Sequence, residues 1–331
     1  MAAKTTAAAD VNPRPPAVFL MGPTASGKTA LALHLAERWP FEVISVDSAL
    51  VYRDMDIGTA KPDAEFLRQL PHHLIDIRNP DQSYSAAEFR RDALSLMHDI
   101  SSGGKIPLLV GGTMLYFKVL YEGIAELPPA DPDIRAQILA DAEQLGWQAM
   151  HRRLQTIDPQ AAAALHPNHS QRIQRALEVY FATGETLSSH QARQSAEPFP
   201  FRVAQLALWP DDRAQLHALI EGRFAQMLEQ GLIEELQQLR QKYSLHQNMA
   251  AMRAVGYRQV WAYLEGEIDR AQLLATGTAA TRQLAKRQLT WLRKWPDLHK
   301  LVVNYQKNPA NCDLISITLQ KISPILQELG L

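Results

Sequence analysis

The stretch Ala17-Val18-Phe19-Leu20-Met21-Gly22-Pro23-Thr24-Ala25-Ser26-Gly27-Lys28-Thr29, continuing into Ala30-Leu31-Ala32-Leu33-His34-Leu35-Ala36, decides the fold. It reads as an apolar strand, a loop of the form G-x-x-x-x-G-K-T, and a helix. Gly22 and Gly27 let the loop turn backbone N–H groups inward on an anion, while the helix aims its positive end at the same point. Lys28 adds a mobile charge and the Thr29 hydroxyl suits Mg²⁺. Such a loop holds a diphosphate or triphosphate. Whether the phosphate is transferred, hydrolysed or released stays open, and a turn merely joining strand to helix is the plain alternative.

Outward from the loop, strand-like and helix-like segments alternate over the first 120 residues. Phe41–Val46 is a β-branched run ending at Asp47-Ser48. Ser85-Ala86-Ala87-Glu88 has the capping-box pattern, followed by Phe89, Ala93, Met97 and Ile100 at helical spacing. Ile106–Val110 is a further strand running into Gly111-Gly112-Thr113. Strands separated by helices imply a parallel sheet, with ligands beyond the carboxyl ends of its strands, so the loop, Asp47 and Thr113 should converge. The expected fold is α/β, a P-loop parallel sheet flanked by helices, with a helical insertion and a helical C-terminal region. Residues 1–15 read as a disordered tail, 16–124 and 169–224 as the core, 125–168 as the insertion after the Pro-rich linker Leu127–Pro132, and 225–331 as a helical part packed on the core.

The chain has 331 residues, 46% hydrophobic and 21% charged, in the ordinary range for globular proteins. The single cysteine, Cys312, excludes an intrachain disulfide and a Cys-x-x-Cys zinc site, and fits a reducing compartment. No apolar stretch approaches the ~20 residues that cross a bilayer, and residues 1–15 lack the apolar core of a signal peptide. Net charge is −1, but Arg270–Lys300 carries seven Lys or Arg against one acid, Asp297. A local nucleic-acid patch on a globally neutral chain is the corresponding expectation.

Asp47 directly ends an early strand, whereas the strand at 106–110 ends in Gly-Gly-Thr and offers no acid. Asp47 is left as metal partner, general base or helix cap. Thr113 either begins the following helix or meets a ligand that the two glycines let approach. His72 and His73 point to opposite faces of any strand, which favours hydrogen bonding over chelation. Arg172 and Arg175 lie at i and i+3 on one helix and read as a solvated face around buried Ile173 and Leu177. In Arg282–Lys294, Arg282, Lys286 and Arg293 share a face flanked by Arg287 and Lys294, while Leu284, Ala285, Leu289, Trp291 and Leu292 take the other. That face suits a phosphate backbone, or is an ordinary amphipathic surface.

Together these segments resemble the tRNA dimethylallyltransferase family. The matching pieces are Gly22–Thr29, Asp47-Ser48-Ala49-Leu50, Asp56–Pro62, His72–Asp76, Gly111–Tyr116, Gln171-Arg172-Ile173-Gln174-Arg175, Arg253-Ala254-Val255-Gly256-Tyr257-Arg258 and Lys286-Arg287-Gln288-Leu289-Thr290-Trp291-Leu292-Arg293, in family order. The resemblance implies transfer of a dimethylallyl group from its diphosphate to N6 of adenosine 37, just 3′ of a tRNA anticodon. It makes the loop the holder of a leaving group, with Mg²⁺ at Thr29 and with Lys28 and Arg223 assisting departure. It gives Asp47 the role of general base and Thr113 that of its helper, acting on a base flipped from its stack. It assigns the grip on the anticodon stem-loop to Asp47–Leu50, Thr113, Arg135, Gln171–Arg175, Arg253–Arg258 and Lys286–Arg293. A monomer is implied as well, while a cytoplasmic location with no membrane partner is expected from the single cysteine and the lack of a long apolar stretch. Asp54 stands where the family commonly has Gly, and the zinc-binding extension of eukaryotic relatives is not expected. A kinase using the loop on ATP and a non-catalytic RNA binder are the competing readings.

Overall fold

The computed structural model describes residues 14–193, 198–305 and 312–331. Six strands, β1 (Pro16–Met21), β2 (Phe41–Val46), β3 (His72–His73), β4 (Ile106–Gly111), β5 (Arg202–Pro210) and β6 (His299–Val303), form one sheet in the order β3-β2-β4-β1-β5-β6. Every pairing is parallel. Buried on both faces, β1 reads as a continuous apolar run, as interior parallel strands do. Its alternate side chains feed two separate layers. Ala17, Phe19 and Met21 join Ile44, Val46, Leu109 and Ala207 on one face, and Val18 and Leu20 join Val43, Leu108, Leu206 and Leu208 on the other.

Helices α1 (Lys28–Ala36), α2 (Ala64–Gln69), α3 (Ala86–Ser102) and α4 (Met114–Glu122) connect the early strands. The capping box expected at Ser85 is present: the Glu88 N–H donates to Ser85 Oγ at 3.2 Å and the Ser85 N–H to Glu88 Oε2 at 2.8 Å. Next come α5 (Pro132–Leu145), α6 (Trp147–Ile157), α7 (Pro159–Ala163), α8 (Ser170–Thr183) and α9 (Leu187–Ala192), and after β5 α10 (Arg213–Glu229), α11 (Leu232–Lys242), α12 (Tyr257–Leu264), α13 (Arg270–Arg293) and α14 (Cys312–Glu328).

Two compact units result: one combines residues up to Tyr121 with those from Phe199 onward, and the other is Glu122–Pro198. The second is therefore longer than the 125–168 expected, and residues 169–198 belong to it, not to the core. The cause is the apolar face of α8, whose Ile173, Ala176 and Leu177 pack with Ile138, Met150 and Leu154. The C-terminal part is not purely helical either. Leu301 and Val303 are buried at alternate positions of β6, which pairs with β5. Of the tail, residues 1–13 lie outside the described residues, while Pro15 accepts the Arg202 N–H at 2.9 Å. No described helix is long and apolar enough to cross a membrane.

Candidate active site

Because β4 lies between β2 and β1, the chain segments leaving these three strands meet at one sheet end. Gly22–Thr29, Asp47 and Gly111–Thr113 emerge there as the sequence implies. The turn after β4 is held by the Thr113 N–H donating to the Val46 carbonyl at 3.2 Å. A Cβ on Gly111 would stand 2.0 Å from the Val46 oxygen, so no side chain fits at this strand junction.

Gly27 adopts φ +88°, the left-handed turn that starts α1 at the end of the loop. Lys28 Nζ donates to the carbonyls of Gly22 at 3.0 Å and Pro23 at 2.7 Å. Burial brings the Lys28 ammonium down from its ordinary 10.5 to about 8; Asp47 pulls upward and Arg223 adds to the fall. Ser26 is buried with its hydroxyl unpartnered among the described residues, while its carbonyl accepts the Tyr305 hydroxyl at 3.2 Å. The Thr24 N–H does not point at an anion: it donates to Gln288 Oε1 at 2.9 Å. The Gln288 Nε2 in turn donates to the Gly112 carbonyl at 2.9 Å.

Asp47 caps no helix. Residues 48–50 form a turn, and Asp47 Oδ1 accepts the Ala49 N–H at 2.8 Å, an Asx turn that leaves the second carboxylate oxygen for other partners. The Thr113 side chain faces the same turn: its Oγ1 accepts the Ser48 N–H at 3.0 Å and lies 3.3 Å from Ser48 Oγ. Thr24 to Thr29, Asp47, Ala49, Leu50 and Arg223 all border one cavity of about 710 Å³. Burial lowers the Arg223 pKa and Asp47 opposes that fall, which puts both cations in the field of the single acid.

Arg223 reaches the cavity because α10 packs closely on α13. A Cβ on Gly277 of α13 would lie 2.0 Å from the ring of Phe224, so the glycine is the slot into which that ring fits. A second support is Glu235 of α11, whose carboxylate accepts the N–H groups of Asp56 (2.9 Å), Ile57 (2.7 Å) and Gly58 (3.2 Å) and the Tyr257 hydroxyl (2.5 Å). It fixes the loop from which Gly58, Thr59 and Ala60 line the cavity. Asp54, where a glycine is usual, adopts φ +62° and bonds Lys242 at 2.6 Å and Tyr243 at 2.5 Å, so the turn survives the change. His72 and His73 find separate partners, the Leu70 carbonyl at 2.7 Å and Glu42 at 2.5 Å.

The residues expected to grip RNA divide by exposure. Lys286, Arg287, Thr290, Trp291, Arg293, Arg253 and Arg258 are exposed, and Ala254 and Val255 border the cavity. Leu289, Leu292 and Tyr257 belong to the apolar core, Gly256 is buried, and Gln288 is buried and engaged as described, so these side chains are not offered to a ligand on the surface. Arg282 turns to Glu221 at 2.7 Å, and Trp291, expected on the buried side, is 36% exposed with Lys118 over its ring.

In the helical unit, Ile173 is core, and Gln171 and Arg172 are exposed. Arg135, Gln174 and Arg175 converge instead on the buried carboxylate of Glu178, at 2.7, 2.8 and 3.4 Å. These bonds hold the Glu178 carboxyl below its ordinary range against the opposing effect of burial. A buried acid needs such partners, and these three side chains supply them while Arg135 itself remains exposed.

Among the described residues no three His, Cys, Asp or Glu side chains cluster to hold a metal. The Thr29 hydroxyl and Asp47 carboxylate on the cavity wall fit a Mg²⁺ ion that takes most of its oxygens from substrate and water.

What folds here is an α/β protein, a six-stranded parallel sheet flanked by helices with the G-x-x-x-x-G-K-T loop at the carboxyl end of β1. A family model described as IPP transferase matches residues 50–295. The chain is 54% identical over 325 residues to tRNA dimethylallyltransferase 2 of Hahella chejuensis (strain KCTC 2396), covering 94% of this chain and 98% of that one. It is similar to the crystal structure of the full-length tRNA isopentenylpyrophosphate transferase from Bacillus halodurans, with 36% identity, TM-score 0.68, and 96% and 98% of the two chains covered. It is also similar to a eukaryotic dimethylallyltransferase acting on tRNA, with 27% identity, TM-score 0.76, and 94% and 80% covered. The chain belongs to the IPP transferase family and is an enzyme of it, which sets aside the kinase and the non-catalytic binder.

Proposed function

We propose the following chemistry for a chain that is, by family and by its 54% identical relative, a tRNA dimethylallyltransferase. Dimethylallyl diphosphate lies with its phosphates on the loop Thr24–Thr29, and adenosine 37 of the anticodon stem-loop enters the same cavity. The observation that carries the reading is the single acid, Asp47, sharing that cavity with Lys28 and Arg223.

The adenine N6 forms a bond to C1 of the dimethylallyl group as the C1–O bond breaks, and diphosphate leaves with the electron pair. Lys28 and Arg223 stabilise the charge that develops on the departing oxygen. N6 is a weak nucleophile because its lone pair is delocalised into the ring, so the carboxylate oxygen of Asp47 not bonded to Ala49 takes its proton. Thr113 holds the Ser48 turn and thereby the acid. The Thr29 hydroxyl, with the Asp47 carboxylate on the same cavity wall, would hold Mg²⁺, which when bound would neutralise charge on the diphosphate.

Outside the cavity, Lys286, Arg287, Arg293, Arg253 and Arg258 take the RNA backbone. One chain suffices for the transfer step, because Thr24–Thr29, Asp47, Thr113 and Arg223 all lie in one compact unit.

The test is incubation of unmodified tRNA with dimethylallyl diphosphate and Mg²⁺, followed by nucleoside mass analysis. Adenosine should gain one prenyl group at position 37. Asp47→Ala should abolish the product while RNA binding is largely kept; equal loss of binding would sink its assignment as base. ATP hydrolysis without prenylation would sink the reading altogether.

A further inference from the structure

Gln288 does something that neither an RNA-binding helix nor a phosphate loop asks of it. It sits one residue beyond the exposed cations Lys286 and Arg287 on α13, yet its side chain turns inward and the residue is only 8% exposed. Both ends of its amide are in use, the oxygen on the Thr24 N–H and the nitrogen on the Gly112 carbonyl. Thr24 opens the loop assigned to the diphosphate. Gly112 precedes Thr113, which holds Ser48 beside Asp47.

We propose that Gln288 is a positioning residue that fixes the diphosphate-holding loop and the Gly112–Thr113 turn in register with each other. The proposal deepens the prenyl-transfer reading and rests on it. In a displacement at one carbon, the bond made to N6 and the bond broken to oxygen share that carbon, so a misplacement of ~1 Å between donor and acceptor is costly. Two main-chain groups from segments 88 residues apart in sequence are joined here by one side chain. A buried amide left without partners would destabilise the fold, whereas one matched at both ends specifies a single arrangement.

Gly112 carries the same message from the other side. A Cβ there would lie 2.3 Å from Gln288 Nε2 and 3.2 Å from the Gly22 carbonyl. The glycine therefore leaves room for the amide to reach the backbone. A Gln serving only as packing would need neither the vacant Cβ position nor both hydrogen bonds, and Leu or Met would fill its volume.

The experiment compares Gln288→Met with the wild-type chain by three measurements: the affinity for anticodon stem-loop RNA alone, the affinity for inorganic diphosphate with Mg²⁺, and kcat and KM with dimethylallyl diphosphate. Loss of two hydrogen bonds should raise both the diphosphate Kd and the KM by about tenfold and lower kcat, while the RNA Kd stays within about twofold. A merely structural role would lower kcat with the fraction of folded enzyme and leave KM unchanged, and that result overturns the proposal. So does a loss confined to RNA affinity. If the Met variant does not fold, Gln288→Glu serves: it keeps an acceptor for Thr24 and loses the donor to Gly112, so a smaller rise in KM is expected and an unchanged KM overturns the proposal. A wild-type chain that binds diphosphate without prenylating RNA would count against the prenyl reading alone, and the diphosphate measurement would still judge Gln288.

Discussion

Thr113 Oγ1 accepts the Ser48 backbone N–H at 3.0 Å across 65 residues of sequence, joining the ends of β4 and β2 beside Asp47. Thr113→Val keeps the branched shape and removes the acceptor. We expect a loss of about 1 kcal/mol in stability and a fall in kcat larger than the rise in RNA Kd. Thermal denaturation and single-turnover kinetics read the two effects, and Thr113→Ser, which keeps the hydroxyl, should recover most of the rate.

Lys28 titrates at about 8 because burial favours the neutral amine. In kcat/KM for dimethylallyl diphosphate, which reports the free enzyme, the charge on Lys28 is lost as pH rises through that value, so the constant should fall on the alkaline side. Stability moves in the opposite sense. Between about 8 and 10.5 the folded chain binds fewer protons at this group than the unfolded chain, so its contribution rises with pH across that window and is level below it. Urea denaturation of wild type and Lys28→Met at several pH values checks the sign, the wild type gaining on the variant above pH ~8.

Arg287 is exposed and has no acidic partner among the described residues. Arg287→Gln should weaken RNA binding with little change in kcat at saturating RNA. The slope of log K against log salt should drop by roughly 0.7 to 0.9 for the one phosphate that the variant no longer neutralises. An unchanged slope would remove α13 from the RNA interface at that position.

Gly277→Ala places a methyl 2.0 Å from the Phe224 ring, and Phe224 adjoins Arg223 in α10. Overpacking of this kind costs about 1–3 kcal/mol, which calorimetry would detect. The displaced helix carries a diphosphate-side cation with it, so KM for dimethylallyl diphosphate should rise together with the loss of stability. Phe224→Leu in the same chain should restore part of both.

The local features of the site were legible because each is written in a few adjacent residues. The loop, Asp47 after a β-branched run, and the Gly111–Thr113 turn announce themselves through strand ends and glycines. What was not legible depends on distant partners. Glu235 looks like any first-turn acid of an amphipathic helix until residues 56–58 fold onto it. Gln288 sits in a motif that resembles an RNA interface, but its side chain joins two main-chain groups, and sequence spacing does not reveal that. The strand β6 was hidden by brevity and by the Pro296-Asp297 break before it. The extent of the helical unit was misjudged because the apolar stripe of α8 does not say which layer it completes.

The place of β6 has a consequence for how the protein is made. The loop follows β1 near the start of the chain, yet the sheet edge beside β5 is closed by residues 299–303, and the Tyr305 hydroxyl bonds the Ser26 carbonyl. A ribosome translating this message must extrude the whole stretch between the loop and β6 before those residues leave the exit tunnel. The loop that binds through Ser26 therefore waits for a segment far downstream before its bond to Tyr305 can form. Nascent chains halted before residue 299 should bind diphosphate poorly, although every loop residue is already present.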